Sequence, residues 1–159
     1  MPVFISHKDK DTSAALRINN YLKRHGISSY VDVLDSSTKT TDDITSTITA
    51  RMNECTHLIA VMSNDTVKSW WVPFEVGEAT FGMRRISSYD LGCGYQFPEY
   101  LRKWPVMSTE SHLSLFVSAY NNDSTSLTKL HENRNTALGR RTYGPDSFHK
   151  SLKSSIRFS

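Results

Sequence analysis

Long apolar runs and a cysteine framework are missing from this chain of 159 residues, and no leader segment is expected. No hydrophobic run reaches the roughly eighteen residues that a membrane span needs, so no membrane span is expected. The first residues lack the basic flank and apolar stretch of a secretory signal. The two cysteines, Cys55 and Cys93, form no Cys-x-x-Cys pair. We therefore expect a cytoplasmic protein without a disulfide framework or a bound metal.

Common catalytic and nucleotide-binding signatures are also missing. The sequence contains no Gly-x-Gly-x-x-Gly fingerprint, no phosphate-binding loop with Gly-Lys-Ser/Thr, and no Gly-x-Ser-x-Gly elbow. Its six histidines lack the spacing of a zinc motif. Cys55 falls on the apolar face of a predicted helix and is interpreted as a small buried hydrophobe. These absences exclude several common enzyme classes.

Positive charge is unevenly distributed along the chain. Residues 124–159 carry seven basic side chains against two acidic ones, a net +5, whereas residues 1–123 carry twelve against fourteen, a net −2. A basic segment can contact nucleic acid or an anionic membrane. Aromatic residues do not interleave with these charges and no nucleic-acid motif occurs, so a solvated surface is the favoured interpretation.

Strand and helix patterns alternate from the first residues. Wholly apolar or β-branched runs predict buried parallel strands, and apolar residues at spacings of three and four predict amphipathic helices. The predicted strands are 3–5, 27–33, 57–62, 86–91 and 106–107, and the predicted helices are 12–25, 42–55, 70–85, 108–121 and 145–156. This order indicates an α/β fold whose ligands bind beyond the carboxyl ends of the strands, at loops 7–11, 34–41 and 63–69.

The segment Ser69-Trp70-Trp71-Val72-Pro73-Phe74-Glu75 is the most distinctive pattern. It opens the third predicted helix, where Pro73 is tolerated, and places Trp71 and Glu75 four residues apart on one face. A carboxylate beside an aromatic ring suits glycosidic chemistry, since it can stabilise positive charge at an anomeric carbon. On spacing alone the structural interpretation is favoured, with the tryptophans packed in the core and Glu75 a surface or helix-start acid.

Five segments together resemble a known family. They are Val3–Asp11, Tyr30–Val33, Cys55–Ser63, Ser63–Glu75 and Leu101–Pro105. In this order and spacing they resemble the Toll/interleukin-1 receptor (TIR) domain in its standalone bacterial form, similar to the TIR proteins of antiphage, Thoeris-like systems. The resemblance implies a flavodoxin-like three-layer sandwich with a five-stranded parallel sheet. It covers a TIR domain at residues 1–122, which leaves residues 123–159 as a basic extension with a terminal helix.

The resemblance also implies an activity and its residues. Enzymes of this family cleave the nicotinamide–ribose bond of NAD with an essential glutamate in the third helix, which here is Glu75. The implied substrate-binding residues are Ser6, His7, Asp32, Ser69 and Trp71. NAD is the substrate, and neither a cofactor nor a metal is expected. Glu78, one turn further on, is interpreted as a solvent-facing acid and is the alternative for the catalytic position.

The resemblance leaves more than one function open. The leading hypothesis is an NAD-consuming enzyme whose ADP-ribose-derived product, cyclic or conjugated, signals to a separate effector in antiviral defence. A second hypothesis is a non-catalytic module that joins other TIR domains through the loop Leu34 to Thr41, the family's self-assembly loop. A third is another N-glycosidic enzyme, such as a nucleoside transferase or nucleotide hydrolase. None of the three calls for a membrane or nucleic-acid partner.

Overall fold

A five-stranded, all-parallel sheet forms the centre of the computed structural model, which describes residues 1–31, 41–132 and 144–159. The strands are β1 (Val3–Ser6), β2 (Ser29–Val31), β3 (His57–Met62), β4 (Arg85–Asp90) and β5 (Val106–Met107), in the order β2-β1-β3-β4-β5. Every residue of β1 and β3 is buried, as expected for strands covered on both faces. The predicted α/β fold with a five-stranded parallel sheet is confirmed.

Helices cover both faces of this sheet. They are α1 (Thr12–Arg24), α2 (Thr41–Glu54), α3 (Trp71–Phe81), α4 (Glu110–Glu132) and α5 (Pro145–Arg157). Short 3₁₀ turns precede α1 and α3 and occupy 94–96 and 99–103. Side chains alternate along β1, so Val3 and Ile5 pack with α1, α4 and α5, while Phe4 packs with α2 and α3. The result is two hydrophobic layers separated by the sheet.

Two helix ends explain where the chain turns back into the sheet. Gly26 follows α1 with a φ of +75°, a left-handed conformation that costs glycine little, and the amide of Ile27 bonds to the Leu22 carbonyl. The third helix ends at Phe81, four residues before the predicted limit. There Met83 takes the left-handed position, with a φ of +54°, and the Arg84 amide bonds to the Ala79 carbonyl. After this turn, β4 begins at Arg85.

Helix α4 is longer than the sequence pattern predicted, which ended at residue 121. The observed helix continues to Glu132, through the polar residues Asn121, Asn122 and Asp123. Asp123 is buried and lies 2.9 Å from the Arg85 Nε at the start of β4, an ion pair that holds this turn against the sheet. The domain boundary placed after residue 122 therefore falls inside a continuous helix, and the division into 1–122 and 123–159 stays a prediction.

The terminal helix α5 packs onto the body of the protein. Phe148 and Leu152, four residues apart, are buried in the layer that contains α4, as their helical spacing predicts. His149 accepts a hydrogen bond at Nε2 from the Ile86 amide at 2.8 Å. Lys153 donates to the carbonyl oxygens of Arg102 and Lys103 at 2.7 and 3.1 Å. Polar contacts from two successive turns in the middle of the helix thus hold it beside its apolar stripe.

Candidate active site

A buried serine–glutamate pair lies at the carboxyl edge of the sheet. Ser6 ends β1 on the same face as Phe4, the face covered by α3. Its Oγ donates a hydrogen bond to Oε2 of Glu75, which is only 2% exposed. Strand β1 lies between β2 and β3, where the order of a doubly wound sheet reverses and ligands bind. The structure therefore brings together Ser6 and Glu75, two residues that lie 69 positions apart in the sequence.

The aromatic residues before Glu75 are on the surface rather than in the core. Trp70 is 91% exposed and Trp71 is 39% exposed. Trp71 contacts Phe74 edge to face, with ring centroids 5.9 Å apart. The structural interpretation of this segment is therefore wrong on both points, since the acid is buried and the indoles face solvent. The segment thus combines exposed aromatic surface with a buried carboxylate one helical turn later, and its role as a ligand site stays a prediction.

Ser69 supports the start of the third helix. Its Oγ accepts hydrogen bonds from the amides of Trp71 and Val72 at 3.3 and 3.5 Å. A serine hydroxyl in this position satisfies amide groups that have no partner within the helix. Ser69 thereby positions Trp71, and its role in binding substrate stays a prediction.

His7 follows β1 and is partly buried. Thr12 Oγ1 donates to the Asp9 carbonyl at 2.6 Å, so it accepts from His7 Nε2 at 3.1 Å. This assigns the ring proton to Nε2 and leaves the buried Nδ1 without a hydrogen-bond partner among the described residues. Burial lowers the pKa of His7, which keeps the ring neutral near pH 7. The role of His7 in binding substrate stays a prediction.

Two of the sequence-based site predictions lie partly or wholly outside the described residues. Asp32, predicted to bind substrate, follows directly after β2 and is not described. The predicted assembly loop Leu34 to Thr41 also lies outside them, except for Thr41 at the start of α2. Both stay predictions.

The sequence patterns did not reveal a network around Asp11. This buried carboxylate accepts hydrogen bonds at Oδ2 from Ser63 Oγ at 2.6 Å and from Thr66 Oγ1. Ser63 Oγ in turn accepts from the amides of Asp65 and Thr66 at 3.2 Å. The network joins the loop that follows Ser6 at the end of β1 to the loop that leads from β3 to α3. The only sequence signal was that all its members lie in loops at the predicted binding edge.

Glu78 differs from its predicted role as a solvent-facing acid. It is half-buried, and its Oε1 accepts a hydrogen bond from Thr49 Oγ1 at 2.6 Å. The prediction was wrong because α2 packs against this side of α3, and a single helix pattern does not show its neighbour. Glu78 therefore has a structural contact of its own, with Thr49 of α2.

Neither cysteine is an activated nucleophile. Both thiols are free and buried, and burial raises the pKa of Cys55 to about 11 and that of Cys93 to about 12. A nucleophilic cysteine needs a lowered pKa instead. Within the described part of the chain, no group of three or more histidine, cysteine or acidic side chains is placed to hold a metal ion. No described helix is long and apolar enough to cross a bilayer.

Fold and site together define the class of this protein as a flavodoxin-like α/β domain with a buried carboxylate at the carboxyl edge of its sheet. The TIR domain family model matches residues 3–88. Because this match covers more than half of the chain, the protein belongs to the TIR domain family, and the sequence resemblance is confirmed.

Two further comparisons give individual relatives. The probable 3′ cyclic ADP-D-ribose synthase ThsB′ of Bacillus cereus (strain MSX-D12) is 27% identical over 117 residues. The match covers 67% of this chain and 60% of the relative, so the chain spans about three fifths of that protein's length. The TIR domains in the activated Roq1 resistosome, which directly recognises the pathogen effector XopQ, align with 99% of this chain and 84% of theirs, at 19% identity and a TM-score of 0.44.

Proposed function

We propose that this protein cleaves the nicotinamide–ribose bond of NAD and makes an ADP-ribose-derived product, cyclic or conjugated. The observation that carries the proposal is the buried Ser6–Glu75 hydrogen bond, one helical turn from the half-exposed indole of Trp71. Membership of the TIR family and the name of the ThsB′ relative support the same chemistry.

The chemistry needs little besides positioning and charge. Nicotinamide leaves as a neutral ring from a cationic pyridinium, taking the electrons of the C–N bond, and positive charge develops on the ribose. The Glu75 carboxylate stabilises that charge or binds the ribose hydroxyls, and Ser6 fixes the position of the carboxylate. Trp71 offers a face on which the ring can stack. No metal or cofactor takes part in this scheme.

The nucleophile that accepts the ADP-ribosyl group determines the product. Water gives ADP-ribose, an adenine nitrogen or ribose hydroxyl of the same molecule gives a cyclic product, and a separate nucleophile gives a conjugate. In each case the acceptor loses one proton to solvent if it carried one. The name of the ThsB′ relative makes a cyclic product the first to look for.

The proposal includes a biological setting. We expect the product to act as a signal on a separate effector protein in antiviral defence, within the cytoplasm. Association with other TIR domains would regulate its formation. Two free cysteines are consistent with a reducing compartment.

Incubation of the purified protein with NAD, followed by mass spectrometry of the products, tests the activity. Glu75→Gln keeps the size and an acceptor oxygen for Ser6 but removes the charge, so NAD cleavage should fall by about a hundredfold or more. Glu78→Gln is the matched control on the same helix and should retain activity within a few-fold. Thermal unfolding of both variants shows that they are folded.

Two outcomes would overturn the proposal. Loss of activity in Glu78→Gln with full activity in Glu75→Gln would move the catalytic role to Glu78. Intact NAD after incubation with wild-type protein, both concentrated and supplied with a lysate of infected cells, would favour the non-catalytic module.

A further inference from the structure

A cavity beside the edge strand β5 is lined by several cations, three of which belong to the basic segment 124–159. It has a volume of about 650 Å³ and lies between α5 and the chain around β5. We call it the basic cavity. Four cationic side chains and two aromatic ones line it: Arg102, Lys150, Lys153, Arg157, Trp104 and Phe158. No acidic side chain is among the lining residues in the described part of the chain.

The cations come from two elements that are distant in the sequence. Lys150, Lys153 and Arg157 lie on one side of α5, because spacings of three and four residues place them on the same helix face. Arg102 enters from the 3₁₀ turn about fifty positions earlier. The tertiary fold therefore creates a concentration of charge that neither segment has alone.

Two of these cations also contact other parts of the protein. The Lys153 ammonium donates to the carbonyls of Arg102 and Lys103, which holds the two elements together. The Arg102 guanidinium lies 5.5 Å from the centre of the Phe97 ring. Among the described residues, none of Arg102, Lys150 and Arg157 forms an ion pair with a carboxylate.

Like charges that converge without a counter-charge repel one another, and a bound anion removes that cost. Arginine and lysine at the mouth of a cavity are the usual groups for phosphate. The aromatic side chains that line the cavity also favour a ligand with a planar ring. Phe158 is 85% exposed, and a planar base can stack on its ring. The volume falls in the range of small-ligand sites.

We propose that the basic cavity binds a soluble nucleotide, with its phosphates on Arg102, Lys150 and Arg157 and its base against Phe158. This site is separate from the Ser6–Glu75 pair, which lies at the switch point of the sheet next to β3, whereas the cavity lies next to the edge strand β5. The proposal does not depend on NAD cleavage.

Calorimetric titration of the whole chain with ADP tests the site, with inorganic pyrophosphate as a second probe. Arg157→Glu should weaken both ligands about tenfold or more, since it replaces a phosphate partner by a like charge. Phe158→Ala should weaken ADP several-fold and leave pyrophosphate unchanged, because only ADP carries a base. Wild-type affinity for both should fall as salt is raised.

Matched variants separate this site from general charge and from the candidate active site. Lys23→Glu makes the same change of net charge on an exposed position of α1 and should leave ADP binding unchanged. Trp71→Ala, at the candidate active site, should also leave it unchanged. NAD cleavage by Arg157→Glu should equal that of the wild type.

Several results would overturn the proposal. Equal weakening by Arg157→Glu and Lys23→Glu would indicate unspecific attraction. Loss of ADP binding in Trp71→Ala would place the nucleotide at the other site. Tighter binding of anionic phosphatidylglycerol vesicles or of an oligonucleotide than of ADP, or no binding of ADP, would also exclude a nucleotide pocket.

Discussion

At the scale of single residues, the hydrogen bond from Ser6 to Glu75 decides how the buried carboxylate is held. Ser6→Ala removes a hydroxyl that donates to the carboxylate of Glu75. Hydrogen bonds to charged groups contribute about 1.5–3 kcal/mol, so the free energy of unfolding should fall by about that amount. Urea unfolding measures the change, and NAD turnover should fall with it, because Glu75 loses one of the contacts that position it.

Ser87→Ala is the matched control for this prediction. Ser87 is equally buried in the same sheet, but its hydroxyl donates to the neutral Leu58 carbonyl at 3.4 Å. Its removal should cost about 0.5–1.5 kcal/mol. In a double-mutant cycle, Ser6→Ala should cost less when Glu75 is already glutamine. An equal cost in both backgrounds would contradict the assigned contact.

At the scale of elements, Asp11 joins the loops that follow β1 and β3. Asp11→Ala removes the acceptor of the buried Thr66 hydroxyl and of the partly buried Ser63 hydroxyl. Buried donors left without a partner cost about 1–3 kcal/mol, so stability should fall by that amount. Amide hydrogen exchange should rise in both loops together, since neither retains its link to the other.

The neighbouring Asp9→Ala provides the comparison. Asp9 is exposed, and it contacts Thr12 through its backbone carbonyl rather than its carboxylate. Its replacement should leave the unfolding free energy within about 0.5 kcal/mol of the wild type. Faster exchange confined to the first loop in Asp11→Ala would show that the network does not couple the two loops.

At the scale of the whole molecule, acid should unfold this protein through buried histidines. Burial lowers the pKa of His57 to about 3 and that of His149 to about 4. In the unfolded chain both titrate near pH 6.5, so the unfolded state binds more protons between about pH 6.5 and 4. Stability is therefore complete above pH 6.5 and falls as the pH is lowered, by at most about 1.4 kcal/mol per pH unit for each ring. Burial also raises the pKa of Asp123, which offsets part of the loss at the acid end.

His149→Gln tests this pH dependence. Glutamine can accept the bond from the Ile86 amide but does not titrate, so unfolding in urea from pH 7 to pH 5 should show a shallower slope. The groups whose charges act on His149 are Asp146, Arg85, Lys103 and Lys153. His25→Gln, at an exposed position after α1, should keep the wild-type slope. An unchanged slope in His149→Gln would show that other groups cause the acid sensitivity.

The periodicity of the sequence predicted most of the elements and only part of the site. Buried strands such as His57–Met62 are wholly apolar or β-branched beyond the first residue, so their position is visible without a structure. The spacing of Trp71 and Glu75 predicted that both lie on one helix face. It did not predict which of them is buried, because burial depends on the strand beneath α3. For the same reason the pattern missed the contact of Glu78 with Thr49.

By itself, the sequence determined the α/β order, the helix ends such as Gly26 and the family to which the chain belongs, since these depend on local periodicity, local backbone preference and motif order. Only the tertiary structure decided that Ser6 donates to Glu75, that Asp11 joins two loops and that Arg102 meets the cations of α5. Each of these contacts joins residues about fifty or more positions apart. Such contacts arise from how helices pack on a sheet, and a pattern within one element carries no information about its neighbour.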